Sequence, residues 1–338
     1  MTERRKFLLQ ATFLTGALLA GAAHAQQKEV TIAYQDMLVP WRVAQAAGEL
    51  EKATGYKVNF RQFAGGGDVI RALASGQVHL GEAGSAPIAA GISQGLPVEL
   101  FWILDDINNA EALVVRNGAG INALADLKGK RIGVPFTSTT HFHTLVALEH
   151  AGVAPNEVKV VNLRPPEIAA AWERGDIDAT FVWEPVLSKV KANGRVLVSS
   201  GEIAHATGKT TFDGVVVNKD WAKENGEFLR KFTALLAAAD ARYRHEKAAW
   251  KLGTPEIDAI AKITGAKPEE VPAGLALYQF PTAAEQAGTR WLGGGPAGGA
   301  AKSLAATAAF LKSQGTIANV LPDYSVGVTP RYVEQVAR

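Results

Sequence analysis

Hydroxyl side chains cluster where a short apolar segment passes into an amphipathic one. Residues 132–136 have the composition of a buried strand, and Thr, Ser, Thr and Thr follow at 137–140. From His141 to His150, apolar residues recur at helical spacing. A helix that begins on Ser and Thr presents free backbone N–H groups beside short hydroxyls, and at the carboxyl end of a strand this arrangement can bind a small anion. An ordinary helix N-cap, which needs only one hydroxyl, is the alternative.

Two other patterns could take part in chemistry, and each has a simpler explanation. His141 and His143 are two residues apart, so on a helix they face different ways, and neither a metal nor a cofactor is expected. Residues 293–303 superficially resemble a phosphate-binding loop. However, Ala301 and Pro296 stand where that loop requires Gly. We therefore interpret the segment as a flexible loop between two helices.

The elements that would position these residues alternate along the chain. Short apolar runs separated by helical patterns indicate an α/β fold with parallel or mostly parallel sheets. The predicted strands cover residues 30–34, 58–63, 78–81, 98–104, 112–115, 132–136, 158–163, 177–182, 195–198 and 215–218. Predicted helices include 41–53, 69–75 with Asp68 as N-cap, and 167–174. After Asn218 only helices are predicted, at 228–244, 255–264, 283–291 and 300–313, and they are expected to wrap one of two lobes.

Two segments share one local pattern. In residues 70–87 and 168–185 a helix stops at a Gly, one residue turns the chain, and a short strand leads to a polar segment before Pro. Ligands of open α/β sheets bind at the carboxyl ends of the strands. Ser85 and Glu184 are therefore expected at the ligand edges of the two lobes.

The first 25 residues predict export. Three basic residues at 4–6 precede an apolar stretch at 7–23, and the small-x-small sequence at 23–25 predicts cleavage after Ala25. A periplasmic location follows from this signal. The Sec route is preferred, since the twin-arginine motif is matched only in part.

Charge and composition exclude several classes of function. Of 35 Lys and Arg and 33 Asp and Glu, residues 1–25 hold three and one, so the remainder has 32 of each and no net charge. No basic run is left to bind nucleic acid. The absence of Cys excludes disulfides and thiol chemistry. About 313 residues beyond the signal exceed what one core usually supports, so two lobes are expected.

Short motifs along the whole exported chain carry a family resemblance. They include Ser-Thr-Thr-His at 138–141 and Arg-Gly-Asp-Ile-Asp at 174–178. The chain resembles the taurine-binding proteins of ABC importers, within the wider sulfonate, nitrate and thiamine-precursor binding group. The other matching residues are 33–35, 71–76, 84, 85, 87, 111–115, 129–132, 134–136, 161–163, 165–166, 170–172, 182–183, 310–312, 314–315, 323–325 and 331–333.

The resemblance implies a two-lobed periplasmic binding protein-like fold of type II, in which two crossovers form a hinge. Each lobe would hold a mostly parallel sheet flanked by helices. The first lobe would comprise residues 26–114 and 215–338, and the second residues 115–214.

The same resemblance implies a set of ligand-binding residues. A sulfonate would sit against the N–H groups and hydroxyls of Ser138, Thr139 and Thr140, near His141, with Ser85 contributing from the other lobe. The family's amine-binding carboxylate corresponds to Asp213. Further expected ligand-binding residues are Glu184 as a second amine partner, Trp183 and Tyr34 as apolar walls or ordinary core aromatics, and Gln35.

The implied function is capture of taurine and its delivery to an ABC importer permease by a monomeric protein, without catalysis. Other alkanesulfonates, aromatic sulfonates and nitrate are alternative ligands, and nitrate is disfavoured because Asp213 and Glu184 would face an anion. An enzyme of thiamine-precursor synthesis is disfavoured by the export signal and the lack of Cys. Docking of the loaded protein to a membrane receptor stays open.

Overall fold

The computed structural model describes residues 28–337, so the predicted signal segment and its cleavage site after Ala25 lie outside the described residues. Ten strands and fourteen α-helices occur within this range. The strands are β1 Glu29–Tyr34, β2 Lys57–Gln62, β3 Leu80–Gly84, β4 Val98–Asp106, β5 Ala112–Arg116, β6 Arg131–Val134, β7 Lys159–Asn162, β8 Ala179–Val182, β9 Gly194–Ser199 and β10 Phe212–Asn218. The helices are α1 Arg42–Ala46, α2 Glu49–Thr54, α3 Gly66–Ala74, α4 Ser85–Ser93, α5 Thr139–His150, α6 Pro165–Arg174, α7 Val186–Lys191, α8 Ser200–Thr207, α9 Lys219–Glu224, α10 Gly226–Glu246, α11 Pro255–Thr264, α12 Val271–Leu275, α13 Ala283–Ala287 and α14 Gly299–Ser313.

The strands form two sheets of the same topology. The first has the order β2-β1-β3-β10-β4 and the second the order β7-β6-β8-β5-β9. Each sheet has one antiparallel strand, which is β10 in the first sheet and β5 in the second. The other four strands of each sheet are parallel to one another. The repeated helix–Gly–strand pattern gives β3 and β8, which occupy equivalent central positions. The expected duplication is thus confirmed.

The chain passes between the sheets twice. It leaves the first sheet after β4 and enters the second at β5, and it returns through α8 into β10. Every helix after β10 follows the return to the first sheet. Among them, α14 packs on α4, α10 on α2, and α11 on α1.

Both faces of the second sheet are buried, and β5 shows why its sequence is continuously apolar. Leu113 and Val115 belong to the larger apolar core, while Ala112 and Val114 belong to a separate cluster with Trp172 and other side chains of α6 and α7. Alternate side chains of a strand point to opposite faces, so a strand covered on both sides needs apolar residues at every position.

Three local predictions need correction. The predicted helix at 41–53 is two helices, because Gly48 has a left-handed φ of 64° that ends one and starts the next. Helix α3 begins at Gly66 without a side-chain cap, so Asp68 lies in its first turn and is not its N-cap. The predicted helix at 283–291 ends at Ala287. Residues 293–299 connect it to α14, with 294–297 exposed and Gly299 packed closely against the backbone of Arg290.

No helix within residues 28–337 combines the length and the apolar character needed to cross a bilayer.

Candidate functional site

The ligand edges of the two sheets face each other across one cleft. Strands β1, β3 and β8 end there, and the antiparallel β5 and β10 begin there. Because these segments converge, eleven residues from distant parts of the chain line the cleft. They are Gln35, Met37, Gly66, Gly84, Pro87, Glu111, Ser138, Thr139, Trp183, Asp213 and Tyr278.

The first turns of three helices, two from the first lobe and one from the second, meet at the cleft. Gly66 opens α3, Gly84 is the N-cap of α4, and Ser138 is the N-cap of α5. The Ser138 hydroxyl accepts a 3.0 Å hydrogen bond from the N–H of His141. Among the described residues, the N–H groups of Thr139 and Thr140 have no acceptor. Converging helix N-termini and free N–H groups form a pole that favours an anion.

Buried carboxyl groups lie next to these helix N-termini, since Asp213 pairs with Gly84 between β10 and β3. Asp213, in β10, lies directly across from Asp105, in β4, beside a bulge in that ladder. Neither carboxyl oxygen of Asp105 has a hydrogen-bond partner among the described residues. Burial, and then repulsion from Glu82, raise the pKa of Asp213 to about 7. Burial and the neighbouring Asp213 also raise the pKa of Asp105 well above its usual range.

Glu111 adds a third acid, at the point where the chain enters the second sheet. Its Oε1 accepts a hydrogen bond from the Thr139 hydroxyl, and its Oε2 lies 3.3 Å from Ser200 Oγ. Burial and then Asp213 raise the pKa of Glu111 to about 8. The hydroxyl of Tyr278 is also buried here without a partner among the described residues. Uncompensated acids next to an unpaired hydroxyl form a pole that favours a cation.

Glu82, by contrast, is neutralised by a neighbour. It forms a fully buried ion pair with Arg42, and it also accepts a 2.9 Å hydrogen bond from the Trp41 indole. Gln35 donates its side-chain N–H to the Glu82 carbonyl at 3.0 Å, which orients the amide at the cleft wall. These contacts support the wall and leave Asp105, Glu111 and Asp213 as buried acids without a cationic partner among the described residues.

Two contacts join the sheets across the cleft. The Trp183 indole N–H, after β8, donates a 2.7 Å hydrogen bond to Asp36, after β1. At the mouth, Arg164 lies 3.4 Å from Asp68, and its side chain is 58% exposed. An exposed ion pair of this kind contributes little, so Trp183 and Asp36 form the stronger connection.

The remaining space in the cleft is about 10 Å³, near the minimum for one water molecule. The two sides therefore have to separate before a small organic molecule can enter.

The structure brings together half of the residues expected to bind ligand. Gln35, Ser138, Thr139, Trp183 and Asp213 line the cleft. The other expected residues, Tyr34, Ser85, Thr140, His141 and Glu184, do not.

The residues behind the cleft have structural partners that explain their positions. The Ser85 hydroxyl accepts from the N–H of Phe212 at 3.4 Å, and the Thr140 hydroxyl lies 2.7 Å from that of Ser138. Tyr34 packs edge-on against Phe60.

His141 and Glu184 also face away from the cleft. The His141 ring stacks on Phe136 at 4.5 Å, and burial lowers its pKa to about 4. The Glu184 carboxylate accepts from the N–H and the hydroxyl of Ser188 at 3.0 and 2.8 Å.

Sequence reasoning missed Asp36, Asp105, Glu111 and Tyr278. Three of the four could have been found, since Asp36, Asp105 and Glu111 stand at or next to the ends of strands that meet at this edge. Tyr278 gave no such signal.

Comparisons with known proteins agree with this architecture. A family model described as NMT1/THI5 like matches residues 40–249, more than half of the chain. The chain is 39% identical over 321 residues to the taurine-binding periplasmic protein of Escherichia coli (strain K12), covering 95% of this chain and 98% of that protein. The resemblance to the sulfonate-binding group is thereby confirmed.

Solved structures show the same fold. The alkanesulfonate-binding protein SsuA from Xanthomonas axonopodis pv. citri, bound to MOPS, matches with a TM-score of 0.71 at 24% identity, over 87% of this chain and 95% of that one. The periplasmic aliphatic sulphonate binding protein SsuA from Escherichia coli matches with a TM-score of 0.71 at 21% identity, over 91% and 99%. The predicted two-lobed fold is confirmed.

Proposed function

The chain belongs to the NMT1/THI5-like family, and from the free N–H groups and the buried acids that meet in its cleft we propose that it captures taurine, 2-aminoethanesulfonate, and delivers it to the permease of an ABC importer. The periplasmic relatives named above support a periplasmic location. Its role is binding, without a bond made or broken.

The charge distribution of the cleft is the observation that supports this ligand best. The sulfonate would contact the first turn of α5, where the backbone N–H of Thr139 is free at the cleft wall. The ammonium would lie against Asp213, whose uncompensated burial favours a cationic partner. Trp183 and Met37 would flank the two-carbon linker. A ligand with only one charge would leave one pole unpaired.

A plain alkanesulfonate is the second candidate ligand. The solved structures of alkanesulfonate-binding relatives favour it, since they share the fold. Nitrate is a weaker candidate, because Asp213 at the cleft wall would face an anion that brings no cationic group to offset it. Catalysis is a weaker proposal than binding, because the most similar relatives are named as binding proteins.

The mechanism follows from the contacts across the cleft. Ligand groups bridge residues of both sheets, so ligand stabilises the closed arrangement over the open one. In the closed arrangement the permease would meet a surface formed by both lobes.

A calorimetric titration panel tests the proposal. Purified protein without residues 1–25 is titrated with taurine, ethanesulfonate, β-alanine and nitrate at pH 7. We expect taurine to bind most tightly and nitrate not to bind. Ethanesulfonate, which has no amine, and β-alanine, which has a carboxylate in place of the sulfonate, should bind more weakly than taurine. Binding of nitrate or of an aromatic sulfonate alone would overturn the assignment of the ligand.

A further inference from the structure

A chain of hydrogen bonds runs from the cleft into the second lobe. The Thr139 hydroxyl contacts Glu111, which contacts Ser200 at 3.3 Å. Ser200 Oγ lies 2.7 Å from His143 Nδ1, and His143 Nε2 lies 3.0 Å from the carbonyl oxygen of Lys209. Each of these four hydrogen bonds needs one proton, so the series of contacts limits where each proton can lie.

The far end fixes the direction of the chain. A carbonyl oxygen only accepts, so Nε2 of His143 carries the proton that faces Lys209. Burial lowers the pKa of His143 to about 4, which keeps the ring neutral. In a neutral imidazole the other nitrogen, Nδ1, is then an acceptor. Ser200 must donate to it, and its single hydroxyl proton is thereby used.

The contact between Ser200 and Glu111 therefore needs a proton from Glu111. An ionised Glu111 would place two acceptors against each other in a buried chain, either at this contact or at the contact between Ser200 and His143. The remaining way to satisfy all four contacts with an ionised Glu111 is a doubly protonated His143. That cation would be fully buried against the rings of Phe142 and Phe181.

We propose that Glu111 is a neutral carboxylic acid at the working pH, and that it sets ligand specificity by holding Thr139 without adding charge to the cleft. Ser200 and His143 are positioning residues that hold its proton. The role of Glu111 in specificity rests on the proposed binding of taurine, whereas its neutral state is argued from the hydrogen bonds alone.

The surroundings of Glu111 agree with a neutral acid. Asp213 in β10 and Asp105 in β4 are the acids that share its pole, and Tyr278 lies in the same cluster. His143, from α5, is joined to Glu111 through Ser200, and burial keeps it neutral. Among the described residues no cation favours the ionised form of Glu111, while the hydrogen bond from Thr139 opposes the effect of burial only in part.

The consequence concerns the balance of charge between the poles. With Glu111 neutral, the negative charge that meets the ammonium comes from Asp213 and its neighbour Asp105, and burial of this pair disfavours the ionisation of both. An ionised Glu111 would add a second negative charge, in contact with the Thr139 hydroxyl in the first turn of α5, and would repel a sulfonate bound at that turn. A neutral acid therefore allows both ends of an aminosulfonate to bind in one small cleft.

Glu111→Gln separates a neutral acid from an ionised one. The Gln carbonyl accepts from Thr139 and its amide N–H donates to Ser200, so the variant reproduces the protonated acid. We expect Glu111→Gln to keep at least about tenfold more taurine affinity at pH 7 than Glu111→Leu, which offers neither an acceptor to Thr139 nor a donor to Ser200. Equal losses in the two variants would overturn the proposal.

The pH profile provides a readout that a purely structural role would not change. Taurine affinity of the wild type should fall as the pH rises above about 8, where Glu111 ionises, and Glu111→Gln should remove that fall. Ser200→Ala removes the acceptor of the acid proton, so it should move the fall to lower pH. Identical profiles in wild type and Glu111→Gln would contradict the assignment.

A ligand-free measurement distinguishes this inference from the proposed function. An infrared difference spectrum of wild type against Glu111→Gln at pH 7 should contain the C=O stretch of a protonated carboxylic acid, and the carboxylate bands of Glu111 should be absent. If the wild type bound no aminosulfonate while this band was present, the ligand assignment would fail and the neutral acid would stand. Carboxylate bands in its place would refute the neutral acid whatever the ligand.

Discussion

The indole N–H of Trp183 donates a 2.7 Å hydrogen bond to Oδ1 of Asp36 across the cleft, joining the end of β8 in the second sheet to the end of β1 in the first. Burial raises the pKa of Asp36 to about 6, so at neutral pH the acceptor is mainly a carboxylate. A hydrogen bond to a charged acceptor is stronger than one between neutral groups. Since it joins the two lobes, it stabilises the closed arrangement.

Trp183→Phe should weaken ligand binding while keeping an aromatic wall. It removes the donor to Asp36 and costs the closed state about 1–2 kcal/mol, so taurine affinity should fall about five- to thirtyfold by calorimetry. Trp172→Phe is the matched control, because the Trp172 indole donates to Asn193 within the second lobe. Equal losses in both variants would mean that the cross-cleft contact has no special role.

Asp213→Asn should separate the two ends of the ligand. The change keeps the shape and removes the charge proposed to meet the ammonium, so taurine affinity should fall by about 2–3 kcal/mol. Ethanesulfonate has no amine, and its affinity should change little or rise. Both ligands are titrated against both proteins. If the two affinities fell by the same factor, Asp213 would not be the amine partner.

Thr139→Val should instead weaken both ligands alike, because both have a sulfonate. The substitution keeps the branched shape and removes the hydroxyl that donates to Glu111 and holds the first turn of α5 at the sulfonate, so we expect a loss of about 1 kcal/mol, or roughly fivefold, for each ligand. Thr144→Val is the control in the same helix: the Thr144 hydroxyl donates to the carbonyl of Thr140 at 2.7 Å and does not line the cleft. A loss confined to taurine would place Thr139 at the amine end.

The stability of the ligand-free protein should depend on pH through Glu111. Its pKa is about 8 when folded, compared with a reference value of 4.5. Between these values the folded protein holds a proton that the unfolded chain has released. Stability therefore falls as the pH rises through this window, by up to about 1.4 kcal/mol per pH unit.

Urea unfolding of wild type and Glu111→Gln from pH 5 to 8 measures this contribution. The variant lacks the titrating group, so the free energy of unfolding of the wild type minus that of the variant should decrease steadily with pH. Parallel curves would show that Glu111 has an ordinary pKa in the folded protein.

The sequence by itself determined the strands and the two-sheet architecture, and part of the helices. All ten predicted strands are present, with bounds that shift by a few residues, because each is an apolar run bounded by turn residues. The Gly residues that end helices were visible for the same local reason. Gly48 was missed because the apolar pattern continues on both sides of it.

The sequence also determined the candidate residues that lie directly at strand ends, such as Ser138, Thr139 and Asp213. Parallel strands present their carboxyl ends at one edge, so these positions are linked to the cleft by the topology alone. The division of the chain at 114 and 214 stays a prediction, as does the export route.

Only the tertiary structure decided which charges face the cleft. Trp183 and Asp36 are 147 residues apart, and Glu111 and Ser200 are 89 apart, so no local pattern could pair them. The same holds for Glu184, whose carboxylate is turned away by Ser188 in the adjoining helix. Glu82, Glu111 and Asp213 look alike in the sequence, and only burial and the neighbours brought by folding distinguish them. Glu82 forms an ion pair, Glu111 is a neutral acid, and Asp213 is a candidate cation-binding carboxyl group.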